Sequence, residues 1–260
     1  MEQFLLVGIV SLLGSLLTFF SGFGLGTILL PVMALFFPLP VAIASTAIVH
    51  LCNNVFKFFL VRKKLNVSVL IQFGIPSALA SFAGSMLLLK MQDFSILFEY
   101  SLWGKLYSVT WLNLIMGLLI LFFSLLEVLP LLQKLDFSKL NPVFGGLISG
   151  FFGGLSGHQG ALRSAFLIRY NLSKEEFLST GITLALLVDL VRIPNYLNNS
   201  SIEFYTIHFQ TLITAIIFAL IGAVIGNKIF KKVTLNYIRA FVSLFLFFFS
   251  LLICTGILNR

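Results

Sequence analysis

Residues 3–56 carry no acidic or basic side chain except His50. That run is more than twice the roughly 20 apolar residues that cross a bilayer as a helix, so the chain must enter the membrane at least twice before its first lysine. The remainder continues the pattern. Of 260 residues, 59% are hydrophobic and only 10% charged, with a mean hydropathy of +1.06, whereas soluble domains are roughly 25% charged. A soluble enzyme is excluded, and a multi-pass protein of the cell (plasma or inner) membrane is expected. Residues 4–20 lack a basic leading region and a small-residue cleavage site, so they are expected to belong to the mature fold rather than to a removable signal.

The net charge of +8 does not point to nucleic acid, because the bases lie in short loops between apolar segments. Cys52 and Cys254 both sit inside apolar segments and are too few for a disulfide framework or a zinc site. Charges and turn residues delimit apolar stretches at 4–37, 41–61, 65–89, 106–127, 143–168, 177–197, 205–227 and 235–257. Six are ordinary spans. The first and fifth are interrupted by glycine clusters, Ser21-Gly22-Phe23-Gly24-Leu25-Gly26 and Gly153-Gly154-Leu155-Ser156-Gly157-His158-Gln159-Gly160. Such breaks are where membrane helices unwind.

Lysine and arginine in short loops stay on the cytoplasmic side. If every stretch crosses once, Lys228, Lys231, Lys232 and Arg239 fall opposite Arg62, Lys63, Lys64, Lys134 and Lys139. If 143–168 instead dips in and returns, all of these join Arg169 and Lys174 in the cytoplasm, leaving only Lys90, Lys105 and Arg260 outside. Lys57, Arg163 and Arg192 are then held within the membrane. At 1.5 Å per residue the two arms, 143–156 and 160–170, reach roughly 20 and 16 Å into a ~30 Å core, so both end near the midplane.

The glycine-broken stretches open two similar halves. Thr46 follows Gly26 by twenty residues, as Thr180 follows Gly160, and each threonine is preceded by a serine, Ser45 or Ser179. Three further apolar segments complete each half. An odd number of crossings per half inverts the second relative to the first, which puts both termini outside. The expected fold is therefore an all-α polytopic membrane protein of two inverted repeats, each a re-entrant helical hairpin followed by three transmembrane helices. The first repeat spans 1–130, a cytoplasmic linker 131–142 and the second repeat 143–260.

These residues resemble the TauE/SafE sulfite exporters, also described as permeases for sulfonates and related anions. The resemblance covers nearly the whole chain and rests on the two glycine motifs, Pro31 after the first, the Ser-Thr pairs and the basic Arg62-Lys63-Lys64 loop. The second motif departs in carrying His158 and Gln159 and in lacking a proline to match Pro31. The resemblance implies a transporter for sulfite, sulfoacetate or another organosulfonate, and an exporter with proton-linked alternating access.

An anion site is expected where the return helices, starting near Gly26 and Gly160, aim N–H groups and a positive dipole end at the midplane. Gly22, Gly24, Gly26, Gly157 and Gly160 would let backbone approach the ligand, although glycines also serve tight helix packing. His50, Asn53, Asn54 and Lys57 share one face of the second segment and should face the bundle interior. Lys57 either joins them or snorkels to the cytoplasmic surface. With Ser45, Thr46, Ser156, His158, Gln159, Arg163, Thr180 and Arg192 they make up the candidate substrate site. Arg163 offers a guanidinium fork suited to an oxyanion. Asp189, the one carboxylate well inside an apolar segment, is a candidate for proton coupling with His50, or a structural partner of Arg192.

No metal, cofactor or catalytic group is expected; the expected partners are a small anion and the lipid bilayer, and pairing as a homodimer is left open. Two other readings compete. One is an importer or passive channel for a related anion. The other is a rhomboid-like intramembrane serine protease, since Gly154-Leu155-Ser156-Gly157 fits GxSG and His50 to Asn54 fits HxxxN, but no late transmembrane histidine is at hand to take the serine proton.

Overall fold

The computed structural model describes residues 2–19, 24–61, 64–128, 141–198, 209–229 and 235–258. Ten helices are described: α1 (Glu2–Thr18), α2 (Leu25–Ala34), α3 (Leu39–Val61), α4 (Val67–Met91), α5 (Trp111–Val128), α6 (Pro142–Ser156), α7 (Gly160–Leu167), α8 (Lys174–Asn198), α9 (Phe209–Ile229) and α10 (Leu235–Cys254). α4 contains a π turn at Leu70–Gly74. Among the described residues, α3, α4, α8 and α9 are long and apolar enough to cross a membrane, and shorter apolar helices accompany them. The outward faces carry Leu79, Phe59 and Leu5 at 69%, 60% and 64% exposure, a surface that suits lipid and not water.

The all-α reading holds for the bundle, to which one short β-hairpin is added. β1 (Ile96–Leu102) and β2 (Lys105–Thr110) pair antiparallel with Leu102 opposite Lys105. Trp103 and Gly104 have φ of 52° and 73°, the left-handed pair that a two-residue hairpin loop requires. The segment expected to be helical from 106 therefore begins as strand, and its helix starts at Trp111.

Local signals set several boundaries. Asn141 accepts from the Val143 amide at 2.9 Å with Pro142 in the first turn of α6. Ser173 and Glu176 form a reciprocal capping box before α8: the Ser173 amide donates to the Glu176 carboxylate at 3.0 Å and the Glu176 amide to the Ser173 hydroxyl at 3.3 Å. α6 ends at Gly157, whose φ of +80° is the left-handed conformation that stops a helix and turns the chain.

Both glycine-broken segments fold back on themselves. Gly14 of α1 lies against Leu25 and Ile28 of α2, and Gly145 of α6 lies against the Phe166 ring of α7. The Ser149 hydroxyl donates across the second turn to the Gln159 carbonyl at 3.3 Å. Each hairpin packs its first arm on a helix of the other half. α6 runs parallel to α4, with Gly146, Gly150 and Gly154 facing the carbonyls of Phe73, Ser77 and Ser81. α1 runs parallel to α9, with Gly222 and Gly226 facing the carbonyls of Leu12 and Leu16. A Cβ at Gly150 or Gly222 would fall on the opposing backbone, so these helices meet backbone to backbone.

Two further pairs of helices run antiparallel. In α3 and α8, the Ser179 hydroxyl donates to the Val61 carbonyl at 2.7 Å while His50 lies beside Asp189. In α5 and α10, the Ser124 hydroxyl donates to the Ser243 carbonyl at 2.7 Å while Gly117 meets Ser250. These directions gather Lys64, Lys174 and Lys228 at one end of the bundle. Lys90, Lys105 and the β-hairpin lie at the other end, where the Tyr100 hydroxyl donates to the Thr255 carbonyl at 2.7 Å.

Candidate functional site

The polar stripe of α3 faces inward, as its spacing requires: His50, Asn53, Asn54 and Lys57 are 4%, 1%, 6% and 3% exposed. Asn53 lies 2.8 Å from the Ser15 hydroxyl of α1. The amide orientation that satisfies both ends has its nitrogen donating to Ser15 and to the Ala219 carbonyl at 3.3 Å, and its oxygen accepting from Lys57 Nζ at 3.2 Å. Lys57 also donates to the Ser15 carbonyl at 3.4 Å and stands 5.1 Å from the centre of the Phe19 ring. It does not snorkel; its amine group is folded into the bundle.

His50 Nδ1 lies 2.6 Å from Asp189 Oδ2 of α8. The carboxylate selects the tautomer with the proton on Nδ1, leaving Nε2 to accept from the Asn54 amide at 3.1 Å. Gly24 backs onto that same nitrogen, and a Cβ there would sit 2.9 Å from it, so glycine is what lets the start of α2 approach the imidazole. Asp189 also accepts on Oδ1 from Arg192 Nε at 3.0 Å and Nη2 at 2.8 Å. Arg192 Nη1 donates to the Gly153 carbonyl at 2.8 Å, and the Tyr196 hydroxyl donates to the Gly154 carbonyl. One polar network thus joins α3, α8 and the C-terminal end of α6 through groups that are almost wholly buried. Neither charge of the Asp189–Arg192 pair is left uncompensated, the condition under which buried ions are tolerated.

Beside this network lies a cleft of about 450 Å³. α3 contributes His50, Asn54 and Lys57, and the start of α2 contributes Gly24 and Leu25. Arg163 and Ser164 of α7 face them, with Thr18 and Phe19 at the end of α1 and Phe177, Leu178, Gly181 and Ile182 of α8 closing the wall. Arg163 is 6% exposed, and its Nη1 has no hydrogen-bond partner among the described residues. Among those residues neither Arg163 nor Lys57 has a carboxylate in contact. Two buried cations and the N-terminal end of α2 converge on one space.

The other expected residues lie apart from it. The Ser45 and Ser156 hydroxyls donate to their own helix carbonyls, Val41 at 2.7 Å and Phe152 at 3.0 Å. Thr180 accepts from the Asn66 amide at 3.1 Å, and Thr46 lies beside Gly26. His158 stacks on Phe123 at 5.9 Å with Nδ1 3.0 Å from the Ser156 carbonyl. Gln159 packs against Gly153 next to it, and Gly160 opens α7. Gly22 falls outside the described residues, as do the basic residues Arg62, Lys63, Lys134, Lys139, Lys231 and Lys232. Thr18, Phe19, Ser164 and Tyr196 were not anticipated. Tyr196 was findable one helical turn after Arg192, and Ser15 and Thr18 lie on the inward face of α1.

The family model described as Sulfite exporter TauE/SafE matches residues 7–253. The chain belongs to the TauE/SafE family. No curated protein and no solved structure matches it. TauE/SafE proteins are transporters and not enzymes, so this is a multi-pass membrane protein of the sulfur-oxyanion exporter type. Among the described residues, the Ser156 hydroxyl donates to the Phe152 carbonyl and His158 contacts the Ser156 backbone carbonyl, so these two side chains do not form a serine–histidine pair.

Proposed function

We propose that the chain carries a small sulfur oxyanion, sulfite, sulfoacetate or a related organosulfonate, outward across the plasma membrane, and that the cleft is its binding site. The observation that carries this is the convergence of Arg163, Lys57 and the N-terminal end of α2, with no carboxylate in contact with either cation among the described residues. Buried charge without a counter-ion is costly, and in this setting a visiting anion supplies it. Arg163 offers a fork to two oxygens, while His50, Asn54 and the backbone near Gly24 offer further polar contacts.

The halves act as inverted repeats that alternate access to the cleft. The antiparallel courses of α3 against α8 and of α5 against α10 support this, as does the exchange of hairpins between halves. The end bearing Lys64, Lys174 and Lys228 is cytoplasmic, following the distribution of bases. Transport is proton-linked, and the groups at the cleft wall that could carry the proton are the His50–Asp189 contact and the Lys57 amine. The test is flux of labelled sulfite and sulfoacetate in proteoliposomes, with and without an imposed pH gradient. The parent is expected to exceed empty vesicles and to respond to the gradient; flux equal to that of empty vesicles for every sulfur oxyanion sinks the reading.

A further inference from the structure

We propose that Lys57 takes up a proton as the anion enters the cleft and returns it as the anion leaves. This deepens the reading of the cleft as an anion site and rests on it. Among the described residues three cationic side chains are buried in this region. Arg192 is paired with Asp189, and Arg163 carries a guanidinium that does not deprotonate in proteins. Lys57 alone is an amine whose charge can come and go.

Among the described residues no carboxylate touches Lys57. α1 offers the Ser15 carbonyl, Thr18 and the Phe19 ring. α2 presents its N-terminal end at Gly24, where the helix dipole is positive. α3 adds the Asn53 oxygen, Asn54 and His50; α7 adds Arg163; and α9 adds the Ala219 carbonyl beside Asn53. The carboxylate of α8, Asp189, is already engaged by His50 and Arg192. An oxyanion entering the cleft brings the negative charge that favours the ammonium form of Lys57. The proton comes from water at the cleft mouth and settles on the Nζ lone pair; no bond in the anion breaks. Asp189 is the poorer carrier, because neutralising it would leave Arg192 and the His50 contact without their acceptor.

The experiment is calorimetric titration of the solubilised full chain with methanesulfonate, whose acid group does not titrate near neutrality. Performed in two buffers of different ionisation enthalpy, it counts protons taken up per anion bound. The parent is expected to take up protons, while Lys57→Arg binds without uptake and Lys57→Met binds on the order of tenfold more weakly, also without uptake. Uptake by Lys57→Arg equal to the parent overturns the proposal and moves the proton to His50; anion binding by the parent with no uptake across the neutral range also overturns it. Should Lys57→Arg fail to fold, His50→Gln run beside Lys57→Met decides: uptake kept in His50→Gln and lost in Lys57→Met supports Lys57, and the reverse overturns it. Failure of the parent to bind methanesulfonate, sulfite or sulfoacetate removes the anion site itself, an outcome distinct from binding without protons.

Discussion

Arg163 and His158 are both candidates on the sequence, yet the structure gives their side chains different work. Arg163 lines the cleft with a nitrogen that has no described partner, so Arg163→Ala should weaken anion binding by roughly 1.5–3 kcal/mol, the range for a charge-assisted hydrogen bond. His158 stacks on Phe123 and holds the turn at Ser156, so His158→Ala should lower the melting temperature and leave affinity nearly unchanged. Equilibrium binding beside thermal melting separates the two effects. Asp189→Asn would strand the Arg192 charge in the interior, with an expected loss of about 3–5 kcal/mol of stability. Melting like that of the parent would show that Arg192 has found another partner. The polar stripe of α3 was legible because charges and amides at i, i+3, i+4 and i+7 cannot all face lipid. What spacing could not say was which way Lys57 would turn, since a lysine near a helix end can reach either water or the interior. Nor could it bring Thr18 and Arg163, 145 positions apart, to one wall.

At the scale of elements, the glycines divide into two kinds of work. Gly157 turns the chain, whereas Gly146, Gly150 and Gly154 let α6 lie on the backbone of α4. Gly150→Ala is expected to destabilise by about 1–3 kcal/mol through overpacking, while the same change at Gly104, where nothing lies near, would strain only the hairpin turn. A thermal-shift comparison in detergent checks this, and equal losses at both sites would contradict it. Cysteines placed at Lys64 and Lys174 should be labelled from the cytoplasm, and one at Ser101 from outside. Labelling of the Lys174 site from outside would overturn the assignment of sides. The helices were legible because uninterrupted apolar stretches leave few alternatives in a bilayer. The strands were not, because 96–110 follows so closely on apolar helix that its alternation and its Trp103-Gly104 turn were absorbed into a loop and the start of the next span.

For the whole molecule, the hairpins fix how the halves depend on one another. α6 finds its groove on α4, which precedes it, but α1 finds its groove on α9, near the other end of the chain. Ser15 of α1 also completes the hydrogen bonding of Asn53, so part of the cleft wall waits on that docking. The order of synthesis therefore matters. As the chain emerges from the ribosome, the second hairpin can seat almost at once, while the first must remain in the membrane with its small-residue face uncovered until some two hundred residues later its seat is made. A nascent chain interrupted before α9 would hold a nearly complete set of helices and an unfinished transporter, its opening segment still available to the wrong neighbour.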